Sequence, residues 1–103
     1  MANVKVVWVL PDVRKSGKPL KPEDIDHVEI QISADKGVTF VKYDDFPREI
    51  LETTVTELEP GEWVFKGLVH DIQGRVNNGK TASIVVPDTT PPGELQVLTL
   101  ELV

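Results

Sequence analysis

Apolar residues along this chain alternate with polar ones instead of recurring at helical spacing. Val4, Val6, Trp8 and Leu10 share one parity, with Lys5, Val7 and Val9 on the other, which is the period of a strand. Trp8 is expected in the core, and Pro11 ends the run. Val28, Ile30 and Ile32 point one way while Glu29 and Gln31 point the other, predicting a half-buried strand. Ala34-Asp35-Lys36-Gly37 then turns the chain, and Val38 to Tyr43 is predicted to return antiparallel as the second arm of a hairpin. Asp44 to Glu52, with Pro47 and mixed charge, reads as a loop crossing between sheets, and the β-branched Thr53 to Glu57 reads as a short strand. Leu58-x-Pro60-Gly61 is a chain reversal, since proline fixes φ and glycine accepts the left-handed conformations of a sharp corner. Trp63 to Val69 follows as a strand, with Trp63, Phe65 and Val69 facing the core and Val64, Lys66 and Leu68 facing out. Gly67 in its middle suggests a bulge or a close approach by another backbone. Asp71-x-x-Gly74-Arg75 closes that strand with turn formers, and Lys80 to Val86 is the last body strand, ended by Pro87. Short strand-like runs separated by turn signals, with no convincing helical stretch, predict an all-β antiparallel two-sheet sandwich.

The sandwich spans residues 1–87, and residues 88–103 form a Pro-rich linker and a C-terminal strand. Leu98, Leu100 and Leu102 alternate with Thr99 and Glu101, so this strand has one face to bury. A free apolar strand is an aggregation hazard, and docking is expected.

The order Leu58-x-Pro60-Gly61, Trp63, Asp71-x-x-Gly74-Arg75 resembles the corner of a fibronectin type III domain, immunoglobulin-like in architecture. Trp8-x-Leu10-Pro11, Pro19-Leu20 and Ile25 look like that family's passage from strand B to strand C. Asp35-x-Gly37-x-Thr39-Phe40 matches the hairpin of the versions found in bacteriophage tail and capsid proteins. The resemblance covers roughly residues 4–86. Trp63 stands where the family usually has tyrosine, so its indole N–H must replace the hydroxyl's bond or the corner relies on packing. The family opens with a strand A ahead of its Trp-bearing strand B. That strand is missing from its expected place, yet Asp88 to Val97 resembles the linker and strand A, as if the first strand had been moved to the end. In the family topology strand A starts at the pole opposite to where the last strand ends. Pro87 to Glu94 reaches about 26–29 Å fully extended, so closure onto the chain's own body is expected to be taut and docking onto a neighbouring copy easier.

With 103 residues the chain is one domain. The absence of cysteine excludes disulfides, thiol catalysis and thiolate metal sites. Seventeen acidic against eleven basic residues give a net charge of −6, which favours solubility and opposes binding to nucleic acid. The first residues show neither the basic start nor the cleavage site of a secretory signal, and no stretch approaches membrane-spanning length. Arg14, Lys15, Lys18 and Lys21 share the loop 12–24, which reads as solvated or as a dock for an acidic surface. His27 and His70 have no serine at a strand-to-helix elbow nearby. Asp44-Asp45 and Glu59/Glu62 are the nearest approach to paired carboxylates, without an apolar pocket to raise a pKa. His70-Asp71 lacks further ligands at fixed spacing, and Asp35, Asp44 and Asp45 lack a calcium-loop pattern with its closing glutamate. No catalysis, cofactor or metal is therefore expected.

What the resemblance implies is a non-enzymatic virion structural protein of a bacteriophage, a capsid or tail accessory or decoration subunit held by β-strand contacts. Such a subunit is made in the host cytoplasm without a signal peptide. Its expected partners are other virion proteins and copies of itself, with no nucleic acid and no membrane, in an oligomeric arrangement on the particle. The candidate contact residues are Leu95, Val97, Leu98, Leu100 and Leu102 in the tail, with Val7, Val9, Val64 and Leu68 as a second set if their strands lie side by side. The alternative is an ancillary spacer or weak carbohydrate-binding module of a bacterial surface protein or secreted polysaccharide-degrading enzyme.

Overall fold

A computed structural model describes residues 2–77, 79–88 and 91–102; the parts of the linker and C-terminal strand that fall on Thr89, Thr90 and Val103 lie outside the described residues. The strands are β1 (Ala2–Val7), β2 (Ile25–Ser33), β3 (Val41–Pro47), β4 (Glu52–Leu58), β5 (Gly61–Asp71) and β6 (Lys80–Val86), with one short 3₁₀ turn at Pro22–Asp24. They form a two-stranded sheet, β1-β4, and a four-stranded sheet, β3-β2-β5-β6. Every pairing is antiparallel, so the chain is an all-β two-sheet sandwich, an architecture compatible with a fibronectin type III or immunoglobulin-like fold. Val28 and Ile30 from β2, Phe65 from β5, Val86 from β6 and Val55 and Leu58 from β4 form the buried core between the sheets. Alternation carries this arrangement, because a strand of period two turns every second side chain toward the facing sheet.

Two segments depart from the sequence reading for local reasons. The turn after β2 forms, with Lys36 at φ 63° and Gly37 at φ 88°. It then persists past Val38, because Ser33 Oγ accepts the Gly37 N–H (2.9 Å) and Asp35 Oδ1 accepts the Thr39 N–H (2.8 Å). These side-chain bonds compete with the ladder and postpone β3 to Val41. The strand then runs on to Pro47, so Asp44 and Asp45 lie on a strand and not in a crossing loop. Proline is tolerated there because β3 is an edge strand, paired only with β2. The second departure is Gly67, which is neither bulged nor approached by another backbone. It pairs in regular register with Ile30 and Lys80, and Ile30 Cδ1 lies 3.8 Å from where its Cβ would stand.

The corner before β5 is tied as its sequence requires. Gly61 sits at φ 143°, and the Trp63 indole Nε1–H donates to the Glu59 carbonyl at 2.9 Å. Both tryptophans were expected in the core; each packs against it but is only partly buried. For Trp8 the reason lies in what flanks it.

Candidate functional site

Where the sandwich lacks cover, its inner surface is open. Ala2, Val4, Val6, Trp8 and Leu10 all turn toward the core, yet none of them is fully buried. On the facing sheet, Ile84 stands opposite Trp63 and Ala82 opposite Phe65 in the β5–β6 ladder, so both share the inward face. Ala82 is nevertheless exposed, and Ile84 is 42% exposed. A cleft of about 490 Å³ enters there, lined by Val6, Trp8 and Leu10 on one side and by Phe65, Val69 and Ala82 on the other.

The backbone on this flank is unpaired as well. β1 has one partner, β4, and no strand occupies its second edge among the described residues. The Trp8 N–H bonds the Leu51 carbonyl at 3.0 Å, which fixes the parity of the ladder. In an antiparallel pair every second residue points its N–H and C=O away from the partner. Lys5, Val7 and Val9 therefore present theirs to the open edge, with Val9 92% exposed. Trp8 packs on Phe46, with centroids 5.3 Å apart and planes at 52°, and its buried Nε1–H has no partner among the described residues.

The C-terminal arm is the second half of the site. Residues 91–102 form no strand and lie exposed, with Leu100 at 90% and Leu102 at 104%. The molecule measures 83 × 24 × 19 Å. Its longest strand, β5, accounts for only about 35 Å of that, and an extended arm supplies the rest. The segment from Leu98 to Leu102 has the alternation of a strand but no ladder partner among the described residues, and an isolated strand does not hold. Polarity explains this. Val86 pairs with Gly61 and Ala2 with Leu58, so the end of β6 and the start of β1 share one pole. A strand antiparallel to β1 has to start at the other pole, beside Val9.

The remaining contact residues named from the sequence do not gather into one surface. Val7 and Val9 belong to the edge of the two-stranded sheet, whereas Val64 and Leu68 lie on the outer face of the four-stranded one. Lys66 on that outer face lies over the Phe40 ring, 4.8 Å from its centroid. Ala82 and Ile84 were missed, although their alternation with Val86 is a readable signal.

Polar clusters elsewhere act as struts. Asp71 is buried, which pushes its carboxyl up, but the bonds from the Arg75 backbone and side chain, the Arg14 guanidinium and the Gln73 N–H outweigh this and hold it at about 2. Arg14 Nη1 lies 3.2 Å from Asp71 Oδ2, which clamps the basic loop to the end of β5. His27 and His70 stack with centroids 4.2 Å apart, and His70 Nε2 meets Glu29 Oε1 at 2.9 Å. Gln31 and His70 draw the Glu29 carboxyl below its usual range. Asp35, lowered by the Ser33 hydroxyl and the Thr39 N–H, caps a turn. No cluster of three or more metal-ligating side chains occurs among the described residues.

Fold and site together define a class: an antiparallel sandwich with one uncovered flank and one unpaired apolar arm. No protein-family model matches the sequence, and no curated protein matches it.

Proposed function

We propose that this chain is a non-enzymatic structural subunit of a bacteriophage virion, a capsid or tail accessory or decoration protein held in place through β-strand contacts. The observation that carries this reading is the uncovered flank, where an unpaired β1 edge and the exposed inward side chains of β6 border one apolar cleft. Such an edge joins a partner by main-chain hydrogen bonds and seats alternate side chains in the cleft, a mode of attachment that needs no catalytic group. The phage-type hairpin pattern Asp35-x-Gly37-x-Thr39-Phe40 supports the virion assignment, and the likeness of Asp88 to Val97 to a strand A supports a strand displaced to the end of the chain. The net charge of −6 favours protein partners over the genome. The testing experiment is mass spectrometry of purified, salt-washed particles from cells expressing this chain. The chain is expected at stoichiometric levels, and its absence from every particle fraction would overturn the reading. Glycan-array binding in the same preparation would favour the carbohydrate-binding alternative.

A further inference from the structure

Resting on the reading of the open flank as an attachment site, we propose that its occupant is the C-terminal arm of a second copy of this chain. The arm lies antiparallel to β1 and completes the two-stranded sheet as a third strand. Four observations meet here.

The first is backbone complementarity. Lys5, Val7 and Val9 present unpaired N–H and C=O groups along the free edge, and residues 91–102 satisfy none of theirs in a ladder of their own. Side-chain pattern is the second. Leu98, Leu100 and Leu102 fall on one face of an extended strand and match the cleft bounded by Val6, Trp8 and Ala82. A single bulge between Val97 and Leu98 adds Leu95 and Val97 to that face, leaving Thr99 and Glu101 to solvent. Charge is the third. The only ionisable side chains of residues 91–102 are Glu94 and Glu101, and the lining of the cleft holds no acidic side chain to oppose them, with Lys80 at its rim.

The fourth observation selects a second copy over the arm's own body. β6 ends at the pole where β1 begins, so the arm leaves the domain at the wrong end for antiparallel pairing with its own β1. To start beside Val9 it has to run the length of β1 and cross between the sheets. That path is roughly the full 26–29 Å reach of the linker, with Pro91 and Pro92 limiting its bends. A neighbouring molecule can present its far pole directly to the arm. Every copy then donates one strand and accepts one, which gives a reciprocal pair or a head-to-tail series.

The test uses the absence of native cysteine. Two full-length variants, Val7→Cys and Thr99→Cys, each place one thiol on the outward face of the strands to be paired. Under mild oxidation the mixture is expected to give a heterodimeric disulfide at several-fold higher yield than either variant alone. Lys5→Cys and Val9→Cys with the same partner allow for a shift of register. In parallel, sedimentation velocity of the unmodified chain is expected to show association rising with concentration, shifted at least tenfold toward monomer by Leu98→Ser with Leu100→Ser. Circular dichroism of that variant checks that the sandwich is intact, since neither leucine contributes to the core. An intrachain disulfide in the doubly substituted chain at high dilution, without dimer, would show the arm on its own body and overturn the proposal. No cross-link at any register together with a concentration-independent monomer would overturn it too. If the chain is still found on particles in that case, another virion protein occupies the flank and the structural-subunit reading stands; if it cross-links to itself but is absent from particles, that reading fails and the strand exchange stands.

Discussion

Trp8 offers the sharpest energetic consequence of the open flank. Burying an aromatic of this size removes roughly 150–250 Å² from water, about 4–6 kcal/mol at 25 cal/mol per Å² as an upper bound. Two features lower that figure. The ring is partly exposed through the cleft, and its buried Nε1–H has no partner among the described residues. An orphaned buried donor costs about 1–3 kcal/mol, which truncation relieves. Trp8→Ala is therefore expected to cost about 2–3 kcal/mol, below the roughly 3–5 kcal/mol expected for Phe65→Ala in the closed part of the core. Trp8→Phe keeps a ring against Phe46 and deletes the orphan, so it is expected within about 1 kcal/mol of the parent. Urea titration followed by circular dichroism, at concentrations where the chain is monomeric, measures all three. A Trp8→Ala loss under about 1 kcal/mol would contradict the inward parity of β1. A Trp8→Phe loss as large as that of Trp8→Ala would show that the indole N–H is bonded after all.

Further outcomes follow from single contacts. Trp63→Phe removes the bond to the Glu59 carbonyl and is expected to cost about 0.5–1.5 kcal/mol in the same titration; no change would mean the corner holds by packing alone. Gly67→Ala is expected to be neutral or slightly stabilising, because its backbone is extended and its nearest neighbour is an ordinary 3.8 Å away, whereas Gly61→Ala, at φ 143°, is expected to destabilise by more than about 1 kcal/mol. Asp71 titrates at about 2 in the folded chain against an ordinary 3.8, so its contribution to stability is present above pH 3.8 and is lost as the pH falls toward 2. Acid titration of Asp71→Asn is expected to show a shallower loss over that window, and a profile parallel to the parent's would remove Asp71 from the account.

Much of the sandwich was legible because alternation is a local signal. Val28, Ile30 and Phe65 read as inward from their spacing alone and are core residues. The corner at Leu58 to Trp63 was readable for a similar reason, since its turn residues and its indole donor sit within a few positions of each other. The start of β3 was not, because the turn competes through Ser33 and Asp35 side chains whose bonds to the Gly37 and Thr39 N–H groups depend on geometry. Val7 and Val64 could not be sorted between sheets without the strand order, which is set by pairings between residues far apart in the chain. The uncovered state of Ile84 was harder still. Its inward parity is local, but its exposure depends on a neighbour that the described chain does not place over it.

The apolar arm is where pattern and structure pull hardest against each other. Leu95, Val97, Leu98, Leu100 and Leu102 stand exposed in the single chain, although such a strand is a hazard unless something covers it. Covering it and closing the flank are the same event if the occupant is another copy. Two incomplete surfaces then complete each other.

Amide hydrogen exchange at two concentrations tests this most directly. At concentrations where the chain is monomeric, the Lys5, Val7 and Val9 amides and those of residues 97–102 are expected to exchange at near-unprotected rates, while Val28 and Phe65 stay protected. At concentrations where it associates, both the β1 edge and the arm are expected to gain protection together, by at least tenfold. Protection of the edge in the dilute monomer, or an edge and arm that remain unprotected at every concentration, would contradict the account.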